Sequence, residues 1–277
     1  GVAAMEFERR SLKAQRAWFS HDKWTLVVVN GSVSDHVPIT LSIAQQLYSK
    51  DGVLFGLRAQ PDVSYRLAFD SGVTTTIAWL HHAGVLYVPL GGEVTLEARQ
   101  RWGSWANVTQ GSPTPVSRNI FTAFLSPTPT LDSTFFSGYA IVPNVSPDDA
   151  ATTAAATMRN LGLTTGATYT ATCHVSAPNT STLSLVAWQD AASVTHTNSH
   201  CVNILSADAG LYIVDMVQGD LVVAASDPTQ QRTGPLSVTV NGTYTGPACT
   251  QVEGGTTIQL QTQGDAAGQT VTETCRG

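Results

Sequence analysis

Lysine is nearly missing from this chain: Lys13, Lys23 and Lys50 are the only three in 277 residues. Charged residues of all kinds make up 12% of the sequence, roughly half the share in an ordinary globular domain. That scarcity excludes a surface of solvated helices laced with Glu–Lys pairs. With a formal net charge of −6, it also excludes wholesale coating of nucleic acid. Long hydrophobic runs are missing too, since no stretch approaches the roughly 18 apolar residues of a membrane span. Cysteine does not occur before Cys173. There is no G-x-S-x-G elbow, P-loop, H-E-x-x-H or dinucleotide fingerprint, so the expectation is a protein that is not an enzyme and binds no cofactor or metal.

What stands in place of charge is hydroxyl. Ser and Thr number 59, and 24 of the 36 Thr lie after residue 150. Thr and Val crowd a helical turn but pack well on a pleated sheet, so this composition favours strands. The remaining charge is uneven: residues 1–118 carry 11 Lys and Arg against 9 Asp and Glu, whereas residues 119–277 carry 3 against 11. The contrast predicts two regions of different character.

The pass along the chain reads mostly β. Trp24–Val29 is a compact apolar run that Asn30-Gly31 should close as a turn. Val37–Ile43, Val53–Leu57, Tyr65–Phe69, Thr74–Leu80, Val85–Leu90, Glu93–Arg101, Ile120–Leu125 and Phe135–Val142 follow, with a turn or two of helix at Ile43–Ser49 and a Pro/Ser loop at 111–118. His81-His82 follows Trp79 and either sits at a strand end beside a pocket or, as the favoured reading, in a polar loop. After residue 163, Ala167–Ser176, Thr182–Trp188, Gly210–Val217, Asp220–Ala225, Leu236–Val240, Thr256–Thr262 and Gln269–Thr274 are further strands. Short strands at regular spacing predict an all-β protein, with a jelly-roll or β-sandwich region followed by a second β-sandwich region.

Two helices interrupt this reading. Met5, Leu12 and Phe19 recur every seven residues, predicting a short N-terminal helix within an arm at residues 1–24. Ser146-Pro147-Asp148-Asp149 supplies an N-cap hydroxyl, a proline and two carboxylates, predicting a connecting helix within 144–163 that stops near Gly162. The expected domains are therefore 25–143 and 164–277.

Candidate site residues fall in three groups. Arg9, Arg10, Lys13 and Arg16 form a basic run that either solvates a helix face or touches nucleic-acid phosphates. Cys173, Cys201, Cys249 and Cys275 invite disulfides, most simply Cys173–Cys201 and Cys249–Cys275, although three connectivities are open. Four buried thiols, or a zinc cluster from Cys173-His174 and His196-x3-His200-Cys201, are the competing readings, and the spacing disfavours zinc. Tyr169, Trp188 and Tyr212 are candidates for stacking on glycans, against ordinary core packing. Five sequons, at Asn30, Asn107, Asn144, Asn179 and Asn241, lean toward an exported glycoprotein, although several also suit turns.

Gly166-Ala167-Thr168-Tyr169-Thr170 resembles the opening strand of carbohydrate-binding jelly rolls. The sparse charge, the basic leading segment, the Gly start and the piece Val37-Pro38-Ile39-Thr40-Leu41-Ser42 resemble coat proteins of small icosahedral, picornavirus-like RNA viruses, which are released from polyproteins. That resemblance implies a virion protein assembling with copies of itself and other capsid subunits. Its arm would face viral nucleic acid and its second β domain a host receptor. The alternative is a secreted or cell-surface, extracellular glycoprotein with adhesion or carbohydrate-binding duty.

Overall fold

The structure is a computed structural model and describes residues 1–9, 12–34, 38–103, 116–127, 134–196, 198–263, 266 and 269–277, with only the backbone of Arg9. Arg10, the Asn107 sequon and most of the Pro/Ser loop lie outside the described residues. In chain order the strands are β1 (Val2–Arg9), β2 (Leu12–Ser20), β3 (Thr25–Val33), β4 (Leu41–Leu47), β5 (Val53–Leu57), β6 (Gln60–Leu67), β7 (Ser71–Thr75), β8 (Ile77–His82), β9 (Val85–Pro89), β10 (Glu93–Gly103), β11 (Val116–Ser126) and β12 (Thr134–Pro143). Helix α1 (Ala150–Asn160) follows. Then come β13 (Leu163–Thr165), β14 (Tyr169–Ala177), β15 (Thr180–Ala187), β16 (Ala192–Val194), β17 (Ile204–Ala207), β18 (Gly210–Val217), β19 (Asp220–Ser226), β20 (Leu236–Asn241), β21 (Cys249–Val252), β22 (Gly255–Leu260) and β23 (Val271–Cys275). The protein is all-β.

The chain divides into two compact units. One comprises Glu6–Arg16 and Asp22–Met158, the other Arg159–Gly277 with Gly1–Met5 and Ala17–His21. In the first, the strands β3-β12-β9-β8-β5-β6, continued by the Glu6–Arg16 parts of β1 and β2 in an eight-stranded sheet ordered β1-β2-β3-β12-β9-β8-β5-β6, face a four-stranded sheet ordered β4-β11-β10-β7. Alternation selects the inward face of each strand. On β10, Val94, Leu96 and Ala98 are fully buried, and they pair with the buried Leu125, Ala123 and Phe121 of β11. Trp79 and Leu80 of β8 supply large buried side chains on the opposing sheet.

The second unit is a sandwich of six strands, β13-β14-β15-β18-β19-β23, and five, β16-β17-β20-β22-β21. Its core takes Leu183, Leu185, Tyr212, Val214 and Val223 from the first sheet and Val194, Val238, Val240 and Ile258 from the second.

Three expectations are corrected. The N-terminal helix is a pair of strands, held by Ser20 N–H to Gly1 O at 2.7 Å and by Gln15 Nε2 to Glu6 Oε1 at 3.0 Å. Heptad spacing misled because Met5 is 46% exposed while Ala14, Ala17 and Phe19 are buried; sheet pairing beside β3 outweighs a weak helical preference. Asn30-Gly31 lies inside β3 rather than in a turn. A Cβ on Gly31 would stand 2.6 Å from the Lys13 carbonyl and from the Phe135 ring, so this glycine permits close strand and side-chain approach. The helical turns expected at Ile43–Ser49 are largely β4, pairing with β11.

Candidate functional site

His81 and His82 are buried neighbours on β8, not members of a polar loop. Adjacent strand residues point to opposite faces, so each ring has its own partners. His81 Nε2 lies 2.9 Å from the Val145 carbonyl. His82 accepts the Ser49 N–H on Nε2 at 3.0 Å, which leaves its proton on Nδ1, 2.9 Å from Gln46 Oε1. Gln46 Nε2 donates in turn to the Tyr87 hydroxyl at 2.7 Å. Burial, reinforced by neighbouring His81, lowers the His82 pKa and holds the ring neutral.

Val145, whose carbonyl meets His81, lines a cleft of about 420 Å³ in the first unit. Its N–H is also tied to the Gly84 carbonyl at 3.0 Å. On one side Asp22 and Lys23 emerge from the β2–β3 connection; on the other are Asn144, Ser146, Asp149, Thr152 and Thr153, with Val142 and Pro143 as apolar wall. Ser146 Oγ accepts the Asp149 N–H at 3.2 Å and donates to Asp149 Oδ2 at 2.6 Å, capping α1. Asn144 takes a left-handed conformation, φ 58°, at the turn into this cap. An ammonium, carboxylates, an amide and hydroxyls around a small apolar wall suit a hydroxyl-rich ligand, whose polar groups need donors and acceptors and whose C–H faces need apolar contact.

Two members of the predicted basic run, Lys13 and Arg16, are described with their side chains. Lys13 pairs with Glu8 at 3.2 Å on the surface. Arg16 donates to the Tyr139 hydroxyl at 3.5 Å, and Arg10 and the Arg9 side chain lie outside the described residues. The structure joins Cys173 to Cys201 and Cys249 to Cys275. The second bond links β21 to β23 and so ties the two sheets of its unit together. Among the described residues no group of three or more His, Cys, Asp or Glu is placed to hold a metal ion.

Of the aromatic candidates, Tyr212 is fully buried, its hydroxyl 2.9 Å from the Asp208 carbonyl, and burial pushes its phenol pKa up. Tyr169 packs against the core, and Trp188 donates to Thr170 Oγ1 at 3.2 Å. The structure does not bring these three together as a stacking surface. Sequence reasoning missed the cleft, although the Ser146 cap that forms one wall was visible.

Residues 1–154, more than half of the chain, match the family model for polysaccharide lyase family 8, super-sandwich domain. The chain belongs to that family. Solved structures agree on the fold. A Paenibacillus xanthan lyase superposes with a TM-score of 0.79 at 17% identity, covering 99% of this chain and 27% of the other. A chondroitinase AC lyase gives 0.75 at 15%, covering 98% and 38%. The chondroitin AC lyase of Streptomyces coelicolor A3, in complex with chondroitin sulphate, gives 0.67 at 16%, covering 99% and 35%. The family 8 chain thus spans well under half the length of these enzymes. No curated protein sequence matches it.

Family membership overturns the expected virion coat protein, and with it the non-enzymatic role and the partners assigned to it: capsid subunits, viral nucleic acid and host receptor. The resemblance failed because Thr/Val-rich strands with little charge describe any large β-sandwich, viral or not. A family 8 protein is compatible with the extracellular alternative, and a virion gains no support.

Proposed function

We propose that this chain contributes its β-sandwiches to an extracellular lyase that cleaves an acidic polysaccharide by elimination. The observation that carries the reading is the family 8 match over residues 1–154. The xanthan and chondroitin lyases that share the fold across nearly the whole chain support it. In an elimination no water is added. A base takes the proton from the carbon beside a carboxyl group, a C=C bond forms, the C–O bond to the leaving sugar breaks, and the departing oxygen acquires a proton. The carboxyl group is needed because it acidifies that C–H, so the substrate class is a polysaccharide bearing uronic acid. The cleft between Lys23 and Ser146 fits such a ligand as a contact surface for sugar hydroxyls, and two disulfides suit an oxidising, extracellular setting.

The test is incubation of the purified protein, at its full natural length, with xanthan and with chondroitin sulphate. Falling viscosity together with rising ultraviolet absorbance from the conjugated C=C is the expected result. Chain cleavage without that absorbance, or no cleavage of any acidic polysaccharide, would refute the proposal.

A further inference from the structure

Strands β10 and β11 outrun their neighbours. The pairing of β7 with β10 ends at Ser71 opposite Ala98, and that of β4 with β11 ends at Leu47 opposite Ile120. Beyond those points residues 100–103 pair only with 116–119, as a two-stranded ribbon whose last tie to a neighbouring segment is Tyr48 N–H to the Asn119 carbonyl at 2.8 Å. Such a ribbon is marginally stable alone, and a large apolar side chain exposed on it is costly unless it meets a partner. Yet Trp102 stands on it 72% exposed, the highest exposure among the large hydrophobic residues described.

Alternation carried outward from the buried Val94, Leu96 and Ala98 places Gln100 and Trp102 on one face of the ribbon. They stand opposite Asn119 and Ser117. The Ser117 hydroxyl is shielded from solvent and has no hydrogen-bond partner among the described residues. An aromatic platform flanked by amides is a surface that suits a pyranose ring: its C–H face stacks while its hydroxyls bond at the edges.

The other face carries Arg99, Arg101 and Arg118. Arg101 lies directly opposite Arg118, and like charges so placed repel. Glu97 is the carboxylate that meets them, 2.6 Å from Arg101 and 4.0 Å from Arg99. Arg118 donates to the carbonyl of its neighbour Ser117 at 2.9 Å. Three guanidiniums against one carboxylate make this ribbon a cationic feature on a chain whose net charge is −6. An anionic ligand relieves the repulsion.

We propose that the outer part of the β10–β11 pair, residues 100–103 and 116–119, is a binding arm for acidic polysaccharide, with Trp102 stacking on a sugar ring and Arg101 and Arg118 holding its carboxylate or sulfate groups. The assignment rests on the acidic-polysaccharide reading above. A single-stranded nucleic acid would also use cations and an aromatic ring, but the family of this chain and the amide groups beside Trp102 favour the glycan.

The test is surface-plasmon-resonance binding to immobilised chondroitin sulphate and xanthan, with neutral dextran and an oligothymidine as comparisons, at low and physiological salt. Trp102→Ala should weaken binding about tenfold at both salts, since stacking is little screened. Arg101→Gln/Arg118→Gln should remove the salt-dependent part, with dextran bound far more weakly by every form. Both variants should melt with the wild type, because the side chains are exposed. Unchanged affinity in both variants, no binding by the wild type, or tighter binding of oligothymidine than of the polysaccharides would overturn the arm. Elimination products from the wild type, scored in parallel, separate the two claims. Cleavage with arm variants that bind normally removes only the arm, whereas arm-dependent binding without cleavage removes only the lyase.

Discussion

His82 and Gln46 join the two sheets of the first unit, with Nδ1 of the ring 2.9 Å from Oε1 of the amide. The Ser49 N–H fixes the tautomer at one end, and the Tyr87 hydroxyl receives the amide proton at the other. Gln46→Leu should therefore leave an imidazole N–H and a phenol without their protein partner in a part-buried setting. A loss of about 2 kcal/mol in urea unfolding is expected. No loss would show that water replaces the amide.

Acid should destabilise the protein in two stages. Burial lowers the pKa of His82 and of His196 below 6.5. Below that pH the unfolded chain takes up protons that the folded protein refuses, and stability falls. The carboxylates follow. The N–H of Ala209, aided by Arg232 and opposed by burial, lowers the Asp190 pKa below 3.8. Burial acts to raise that of Asp227, but hydrogen bonds from Thr229, Arg232 and Gln230 outweigh it and also bring it below 3.8. Their stabilisation is full above the unfolded value and is lost as pH falls toward the folded one. Urea midpoints measured from pH 8 to pH 3 should be flat above about 7, decline below about 6.5 and fall again near 4. His82→Gln should lessen the first decline and leave the share of His196.

Each disulfide closes a loop with a sequence separation of 28 or 26 residues. Chain-entropy arguments give about 3–4 kcal/mol for a loop of that size. Both lie in the unit that contains Arg159–Gly277. Cys249→Ala/Cys275→Ala should lower the melting temperature in calorimetry and leave the wild-type protein sensitive to reductant where the variant is less so. An unchanged melting temperature would contradict the account.

Ser146→Ala removes the cap from α1, at a cost of about 1 kcal/mol. Ser146→Asp keeps an acceptor for the Asp149 N–H and should recover part of that loss in thermal unfolding.

Much of the fold was legible because many strands carry their own signal. Val53–Leu57 and Gly210–Val217 are β5 and β18 at the bounds expected from β-branched runs between turn residues. The Ser146 cap was legible for the same local reason. What local pattern could not convey was pairing. Gly31 serves the approach of Phe135 from another strand, and His81 and His82 face partners 64 and 36 residues away in sequence. The cleft joins Asp22 and Lys23 to Thr152 and Thr153 through folding alone. The Arg-Gln-Arg-Trp tetrad at 99–102 was in plain view. It acquired meaning only when β7 and β4 were seen to stop short of it.

The most direct test of the central claim is mass spectrometry of the oligosaccharides released from an acidic polysaccharide by the full-length protein. Elimination predicts a new non-reducing end lighter by one water than hydrolysis would leave, with a vinylic proton in its NMR spectrum. Fully hydrated ends, or an untouched polymer, would contradict the assignment to lyase chemistry.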